Sequence, residues 1–579
     1  MTFCNLTTPW NNSVGDKPLQ EYPRPQFRRK SYLNLNGWWN YAITKNSKKP
    51  NSFDGKILVP FSPESALSGV GKQLKPNEYL WYFKDFSLPN GFNKGVVLLH
   101  FGAVDSICDV YVNGKHVCSH QGGYNAFTAD ISDALLPNGE NKLMLRVQDF
   151  TDTKYFTNGK QSTHRKGMWY TPQSGIWQTV WLESVCKQYV KGLKITPDFD
   201  NAKVVVDVDC NFDEPVTVIV TDGDKEICKA DGKKTFTLAF PDGIFNQWTP
   251  ETPFLYGLKV VSRRDFVESY FAMRKFSCEN VDGVWRLMLN NKPYFHNGLL
   301  DQGYWPDGLY TAPSDEAMIF DIQTMKDLGF NMLRKHIKVE PMRWYYHCDR
   351  LGMLVWQDMP SGGTRQRKWV TLALPFLGKT NVKDSNYKLF SRKSKQSRDV
   401  FEKEYREMIA QLYNCPCIST WVPFNEGWGQ FDANDVAQLT KALDPTRLVD
   451  HASGWHDQGG GDFQSLHVYF KKVKFANDGK RATVLSEFGG YSYKDMQHSF
   501  NLKNTYAYKL FETKEQFNEG LKRLFERDVI PQIAKGLSAT VYTQVSDVED
   551  EVNGLLTYDR QVLKVDAEMM KELNAKVKI

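Results

Sequence analysis

The chain has 579 residues, 41% of them hydrophobic, 24% charged and 14% aromatic, with 73 basic against 67 acidic side chains and a formal charge of +6. That length exceeds a single hydrophobic core and calls for roughly three or four domains. The mild charge comes with no basic tract interleaved with aromatics, which argues against nucleic acid as a partner, and no stretch approaches the ~18 apolar residues of a membrane span. The ten cysteines are scattered without a repeating spacing, so mostly free thiols are expected; Cys415-Pro-Cys417 is spaced wrongly for the usual zinc or redox motifs. No apolar leader opens the chain, so the expected compartment is the cytoplasm, or the periplasm or exterior if a leader has been removed.

From about residue 30 to 185, short alternating runs are broken by turn residues: Gly95-Val-Val-Leu-Leu-His-Phe101, then Cys108-Asp-Val-Tyr-Val112 ahead of Asn113-Gly114, and on to Thr179-Val-Trp-Leu182. Alternation beside an Asn-Gly turn is a strong hairpin signal, and its repetition predicts an antiparallel sandwich. Residues 186–277 alternate again, through Lys203–Val208 and Val216–Val220 to a last strand near Leu258, in the manner of a small immunoglobulin-like β-sandwich.

Beyond residue 280, short apolar runs are separated by helical stretches, the pattern of parallel βα units. Eight strands are expected: Tyr294–Leu300, Asn331–Arg334, Met353–Gln357, Ile418–Phe424, Leu448–His451, Leu466–Tyr469, Thr483–Glu487 and Ser538–Gln544. Eight strands over about 300 residues is the size of a closed (β/α)8 TIM barrel, whose active site lies at the C-terminal ends of its strands. Helices are predicted over Pro313–Leu328, with Ile319, Ile322, Met325 and Leu328 facing the core, and over Arg398–Tyr413.

Two acids close apolar runs just ahead of glycines: Glu426 ends Thr420-Trp-Val-Pro-Phe-Asn-Glu426, and Glu487 ends Ala482-Thr-Val-Leu-Ser-Glu487. Following strand four and ending strand seven, they are expected at one barrel mouth. Facing carboxylates are the minimum equipment for cleaving a glycosidic bond. Ordinary charged strand ends are the plainer reading of either one alone.

With both acids placed behind two β domains, the chain resembles glycoside hydrolase family 2, which contains β-galactosidases, β-glucuronidases and β-mannosidases. The likeness runs through Tyr22-Pro-Arg-Pro-Gln26, Leu35-Asn-Gly37, Val59-Pro-Phe61, Leu80-Trp-Tyr82, Val112-Asn-Gly114 and Gly122-Gly-Tyr124 to Gly329-Phe-Asn-Met-Leu-Arg334 and Cys348-Asp-Arg-Leu-Gly352. Its sharpest part is Asn414-Cys-Pro-Cys-Ile-Ser-Thr-Trp-Val-Pro-Phe-Asn-Glu426. The resemblance implies a jelly-roll sugar-binding domain over 1–185, the immunoglobulin-like sandwich over 186–277 and a catalytic TIM barrel over 278–579. It implies Glu426 as proton donor, Asn425 as the amide holding the 2-hydroxyl, Glu487 as nucleophile and Arg334 as the nucleophile's partner, in a retaining double displacement.

Further pocket candidates follow from these positions. His336 stands two residues after Arg334, where the family pattern has a histidine three after, and a packing role is the alternative. Asp358 falls where relatives carry a glutamate, to bind a hydroxyl or orient Arg334. His467 and Tyr469 close strand six, with the tyrosine able to bond the nucleophile; strand-end packing is the alternative. In Asp301-Gln-Gly-Tyr-Trp-Pro-Asp307, Asp301 is expected to grip paired hydroxyls while Tyr304 or Trp305 stacks on the sugar, although Trp-Pro-Asp-Gly also makes a good turn. Trp428 is expected as a wall. Thr364–Lys395 reads as a solvated basic loop, with a lid or subsite wall as the alternative.

Glucuronidase members carry an asparagine and, two residues on, a lysine that reads the carboxylate; here Glu551-Val-Asn-Gly-Leu-Leu-Thr557 has leucine at that position. The acidic run Asp547–Glu551 would also repel a uronate if it lined the pocket. A neutral sugar is therefore expected, with an exo-acting β-galactosidase-like enzyme first and glucuronidase, mannosidase or arabinosidase activity behind it. No cofactor and no metal ligands are expected, the partner is a glycoside or polysaccharide, and homo-oligomerisation through the β domains is left open. Two other classes remain: a non-catalytic carbohydrate-binding protein, and an enolising metal enzyme using Glu426, Glu487 and Asp358 as ligands.

Overall fold

The computed structural model describes residues 4–136, 139–363, 367–377 and 381–579. Three hydrophobic clusters organise it. The first is built from residues between Leu35 and Leu182, the second from Phe27 and residues between Val190 and Met273, and the third fills the barrel. Around the first, a six-stranded and a four-stranded antiparallel sheet face each other. The expected hairpin is present: Ile107–Val112 pairs with Lys115–Gln121 across Asn113 and Gly114, whose φ values of 51° and 81° are those an Asn-Gly turn tolerates. The second cluster lies between a three-stranded and a four-stranded sheet. Its last strand is Phe266–Phe271, one hairpin beyond the expected end near Leu258.

The eight expected parallel strands all form: β1 (His296–Asp301), β2 (Met332–Lys335), β3 (Leu354–Asp358), β4 (Ile418–Val422), β5 (Leu448–Val449), β6 (Phe463–Val468), β7 (Ala482–Gly489) and β8 (Leu537–Thr543). Their ladder runs 5-4-3-2-1-8-7-6, an almost closed barrel. Between strands lie α1 (Asp315–Asp327), α2 (Met342–Leu351) and α3 (Lys395–Leu412). Ser314 caps α1 by accepting from the Ala317 amide, and Gly352 ends α2 in the left-handed conformation that favours glycine. On α1, Ile322 and Met325 are buried as expected and Leu328 just beyond it is too, but Met318 fills the core where Ile319 is only half-buried.

The β domains are fastened to the barrel by buried polar contacts. Trp248 donates its indole N–H to the Asp349 carbonyl (2.8 Å), Tyr270 donates to the Asp349 carboxylate (2.6 Å), and Arg274 donates to the Pro416 carbonyl (3.1 Å). From the first sandwich, a loop reaches the strand ends: the amides of Asn158 and Gly159 both donate to the Ser361 carbonyl (2.9 and 3.0 Å). No helix among the described residues is long and apolar enough to cross a membrane, and all ten cysteines are free thiols.

The segment Thr364–Lys395 meets expectation only in part. Residues 364–366 and 378–380 lie outside the described residues; the remainder keeps many exposed side chains, among them Trp369, Lys383, Lys388 and Lys393, but is anchored at several points. Trp369–Ala373 and Leu374–Phe376 are helical, Val370 is fully buried with its carbonyl hydrogen-bonded to His456 (3.0 Å), and Asp384 accepts from Gln430 and the Ala433 amide. Lys395 already belongs to α3. Composition marked the segment as polar; its few apolar and acidic anchors decide where it packs.

Candidate active site

The parallel ladder delivers Glu426 and Glu487 to the same mouth. Glu426 follows β4 in left-handed backbone (φ 51°), its amide donating to the Ser453 carbonyl (3.0 Å), and Gly427 continues the turn at φ 71°. Glu487 lies within β7, two residues before its end. Both are buried, at 6% and 4% exposure. His467, next to last in β6, joins them: its Nδ1 is 2.8 Å from Glu426 Oε1 and 3.6 Å from Glu487 Oε2. One donor atom from each of the three side chains falls within 4.8 Å of the others.

Arg334, at the end of β2, organises the floor. Its guanidinium donates to Glu487 Oε1 (3.3 Å), to Asp358 through Nε and Nη2 (3.0 and 3.2 Å), to the Ser486 carbonyl (3.0 Å) and to Asn425 Oδ1 (2.8 Å). The last bond turns the other end of the Asn425 amide outward: its buried Nδ2 has no partner among the described residues. Tyr469 donates its hydroxyl to Glu487 Oε2 and stands 3.2 Å from Thr543 Oγ1. His336 is hydrogen-bonded to Asp358 (2.8 Å) and edges onto Trp428, with ring centroids 6.1 Å apart.

These surroundings drive the two carboxyls apart in acidity. Burial raises the Glu426 pKa and the Glu487 charge adds to the rise, while the His467 hydrogen bond opposes it. Burial pushes Glu487 the same way, but His467, Arg334 and the Tyr469 hydrogen bond outweigh it and leave its pKa lowered. The two carboxyls are thereby shifted in opposite directions, Glu426 toward the protonated form and Glu487 toward the ionised one. Glu426, His467 and Glu487 are also a donor set a divalent cation could use, but Arg334 already supplies a positive charge to Glu487, which disfavours a second.

Replacing Arg334 by leucine should lower stability by about 3–5 kcal/mol, because Asp358 and Glu487 would be left buried without their cation. Thermal denaturation of the variant measures this, and an unchanged melting temperature would contradict it.

Asp301 does not join this group. Its two oxygens are taken by Lys335 (2.7 Å) and the Gly303 amide (2.9 Å) in a buried cluster with Glu340. Tyr304 packs against Tyr170 and Tyr310, and Trp305 against Trp10 and under Arg560. The turn that the alternative reading of Trp-Pro-Asp-Gly expected does form, closed by paired backbone hydrogen bonds between Trp305 and Leu309.

The mouth also contains residues that local patterning did not single out. Tyr508 stacks on Tyr469 (3.9 Å between centroids, 5° between planes), Trp169 packs on Trp428 (5.3 Å), and Tyr170 donates to Glu551. Each comes from a loop or domain distant in sequence, where no periodicity signals a shared site.

Fold and geometry therefore define a class: a (β/α)8 barrel behind two β-sandwiches, with paired buried carboxyls at the strand ends. Residues 71–185 match the sequence profile of the glycosyl hydrolases family 2 sugar binding domain, and residues 285–516 match that of the family 2 TIM barrel domain. Together the matches span more than half of the chain, which belongs to glycoside hydrolase family 2. Among curated relatives, a beta-galactosidase of Thermoanaerobacter pseudethanolicus is 23% identical over 72% of this chain and 54% of its own length. A beta-glucuronidase of Streptococcus agalactiae is 21% identical over 95% of this chain and 97% of its own. The chain spans about half the length, or less, of the first curated relatives it matches. The solved beta-D-glucuronidase of Dictyoglomus thermophilum shares the fold with a TM-score of 0.74 at 20% identity, covering 96% of this chain and 98% of that one.

Proposed function

We propose that the chain is a retaining, exo-acting β-glycoside hydrolase that releases a terminal sugar by double displacement. The domains divide at 185/186 and 277/278. Glu487 attacks the anomeric carbon while Glu426 protonates the departing oxygen; Glu426 then deprotonates the water that releases the sugar. The observation that carries this reading is the pair itself. One oxygen of each carboxyl lies within 4.8 Å of one on the other, which supports the ~5–5.5 Å carboxyl separation of a retaining enzyme. The opposed shifts match the two roles. Asn425 Nδ2 is a donor free for the 2-hydroxyl, Arg334 and Tyr469 hold the nucleophile, and Trp428 with Trp169 walls the sugar. His336 and Asp358 brace Arg334 and Trp428 from behind.

The β-galactosidase-like expectation rested partly on an acidic run repelling a uronate. That run is largely neutralised within the protein: Asp547 pairs with Lys564 (2.6 Å), and Glu549 and Asp550 with Arg165 (3.0 and 3.3 Å). It no longer weighs against an anionic sugar. Leu555 is fully buried and offers the sugar no charge. The relatives divide between galactosidases and glucuronidases by name, and a further fold neighbour is a beta-galacturonidase of Eisenbergiella tayi.

Proton NMR of the first-formed sugar from an aryl β-glycoside tests the mechanism. The β anomer should appear first and mutarotate afterwards; initial α product would overturn the retaining assignment. The pH dependence of kcat/KM should be bell-shaped. Activity needs Glu487 ionised, so the acid limb, set by a lowered pKa, should fall below the ordinary glutamate value. It also needs Glu426 protonated, so the basic limb, set by a raised pKa, should fall above that value. An acid limb above the ordinary value would contradict the role of Glu487.

A further inference from the structure

Lys160 belongs to the first sandwich in sequence and to the barrel mouth in space. The loop that carries it is seated on the strand ends by the Asn158 and Gly159 amides, both donating to the Ser361 carbonyl, and by a bridge between Thr157 and Gly362. Gly159 permits this approach. Its φ is 57°, and a Cβ there would stand 2.8 Å from the Ile337 carbonyl oxygen and 2.9 Å from the Tyr124 hydroxyl. The next residue, Lys160, is thereby fixed beside Trp428 and Tyr170.

The Lys160 side chain is 5% exposed. Its ammonium lies 6.0 Å from the ring centroid of Trp428 and 5.5 Å from that of Tyr170. Among the described residues it forms no ion pair and no side-chain hydrogen bond. The neighbouring carboxylate, Glu551, is occupied by the Tyr170 hydroxyl and Asn553 (2.9 Å). Its charge reaches the reacting groups: His336 is held well below the ordinary histidine value by burial and next by Lys160, and Lys160 is among the influences that lower Glu426. An ammonium buried between two aromatic faces without a counter-ion bears a desolvation cost that an incoming anion removes. The other buried lysines at the strand ends, Lys335 and Lys338, both pair with Glu340 (2.8 Å each).

We infer that Lys160 reads an anionic substituent on the terminal sugar, the carboxylate of a hexuronic acid, so that the determinant of substrate charge comes from the first β domain. The inference rests on the glycosidase reading above and names its substrate class. Trp428 covers the sugar face, Glu426 and Glu487 work on the anomeric carbon, and Lys160 meets the oxyanion at the far side of the ring. Leucine at position 555 then needs no substitute within the barrel.

The test compares wild type, Lys160→Met and Lys160→Arg on 4-nitrophenyl β-D-glucuronide and β-D-galacturonide, the matching neutral hexosides, and a 6-sulfated hexoside, after thermal melting confirms that each variant folds. Wild type should favour a uronide in kcat/KM. Lys160→Met should lower the ratio of uronide to neutral activity by about 10- to 100-fold, the weight of one charge-assisted hydrogen bond, chiefly through KM. Lys160→Arg should restore much of it. The same loss on the sulfated substrate in place of the uronides would keep the role of Lys160 and change the anion to a sulfate ester. A ratio unmoved by Lys160→Met, or a wild type that cleaves only neutral glycosides, overturns the inference while leaving the hydrolase reading intact. Should no glycoside be turned over by wild type, binding of glucaro-1,4-lactone against galactono-1,4-lactone separates the two: preference for the charged lactone, lost in Lys160→Met, upholds the lysine, and equal binding sinks it.

Discussion

Glu487→Gln is expected to abolish turnover of every aryl β-glycoside, by at least about 10⁴-fold, whatever the leaving group. The amide has the shape of the carboxylate but keeps only one oxygen, able to accept from Arg334 or from Tyr469 and not from both, and it cannot form the glycosyl ester through which a retaining enzyme proceeds. Because the first bond never forms, a better leaving group gives no relief. In Glu487→Gly, where that face is vacated, added azide or formate should restore part of the rate by attacking the anomeric carbon directly, giving an inverted product. Arg334 retains Asp358 and Asn425 as partners, so the Glu487→Gln variant should melt close to wild type. Activity comparable to wild type would remove Glu487 from the reaction and the mechanism with it.

For Glu426→Gln the loss should instead depend on the departing group. General acid help contributes about 10²–10⁴-fold. Alkyl and unactivated aryl glycosides should lose that much, whereas a dinitrophenyl glycoside, whose phenolate needs no proton, should form the glycosyl-enzyme almost as fast as before. Release then becomes slow because no base activates water, so a burst of phenolate should precede a slow steady state. The basic limb of the pH profile should disappear with it, since its origin is the proton held by Glu426. A uniform loss across leaving groups, with the basic limb retained, would assign the acid elsewhere.

The parts of this arrangement that the sequence made legible are those encoded by local pattern. Parallel strands buried on both faces are written as short apolar runs, and each of the eight ran long enough to be placed within a few residues. Glu426 and Glu487 stood out because each breaks such a run next to a glycine. Arg334, Asn425, His467 and Tyr469 come to the same mouth because they lie on or beside those same strands. Asp301, Tyr304 and Trp305 are drawn away from the acids for a common reason: an acid closing β1 and two polar-tipped aromatics in the loop after it carry no signal of whether they open toward solvent or are sealed by Lys335, Tyr170 and Trp10. The residues that were missed, Lys160, Trp169, Tyr170, Tyr508 and Glu551, reach the mouth through tertiary contacts spanning hundreds of residues, such as Tyr170 to Glu551. No helical or strand periodicity carries that information.

The backbone at Glu426 has a consequence for how the protein responds to selection. A left-handed conformation costs a residue with a side chain of order 1–3 kcal/mol, and glycine is the residue that escapes this cost. Glycine at position 426 would relieve the turn while giving up the His467 hydrogen bond and some chain entropy, so the fold would lose little and could gain. A screen rewarding heat tolerance alone would accept that change and discard the acid, leaving a sturdier shell without its chemistry.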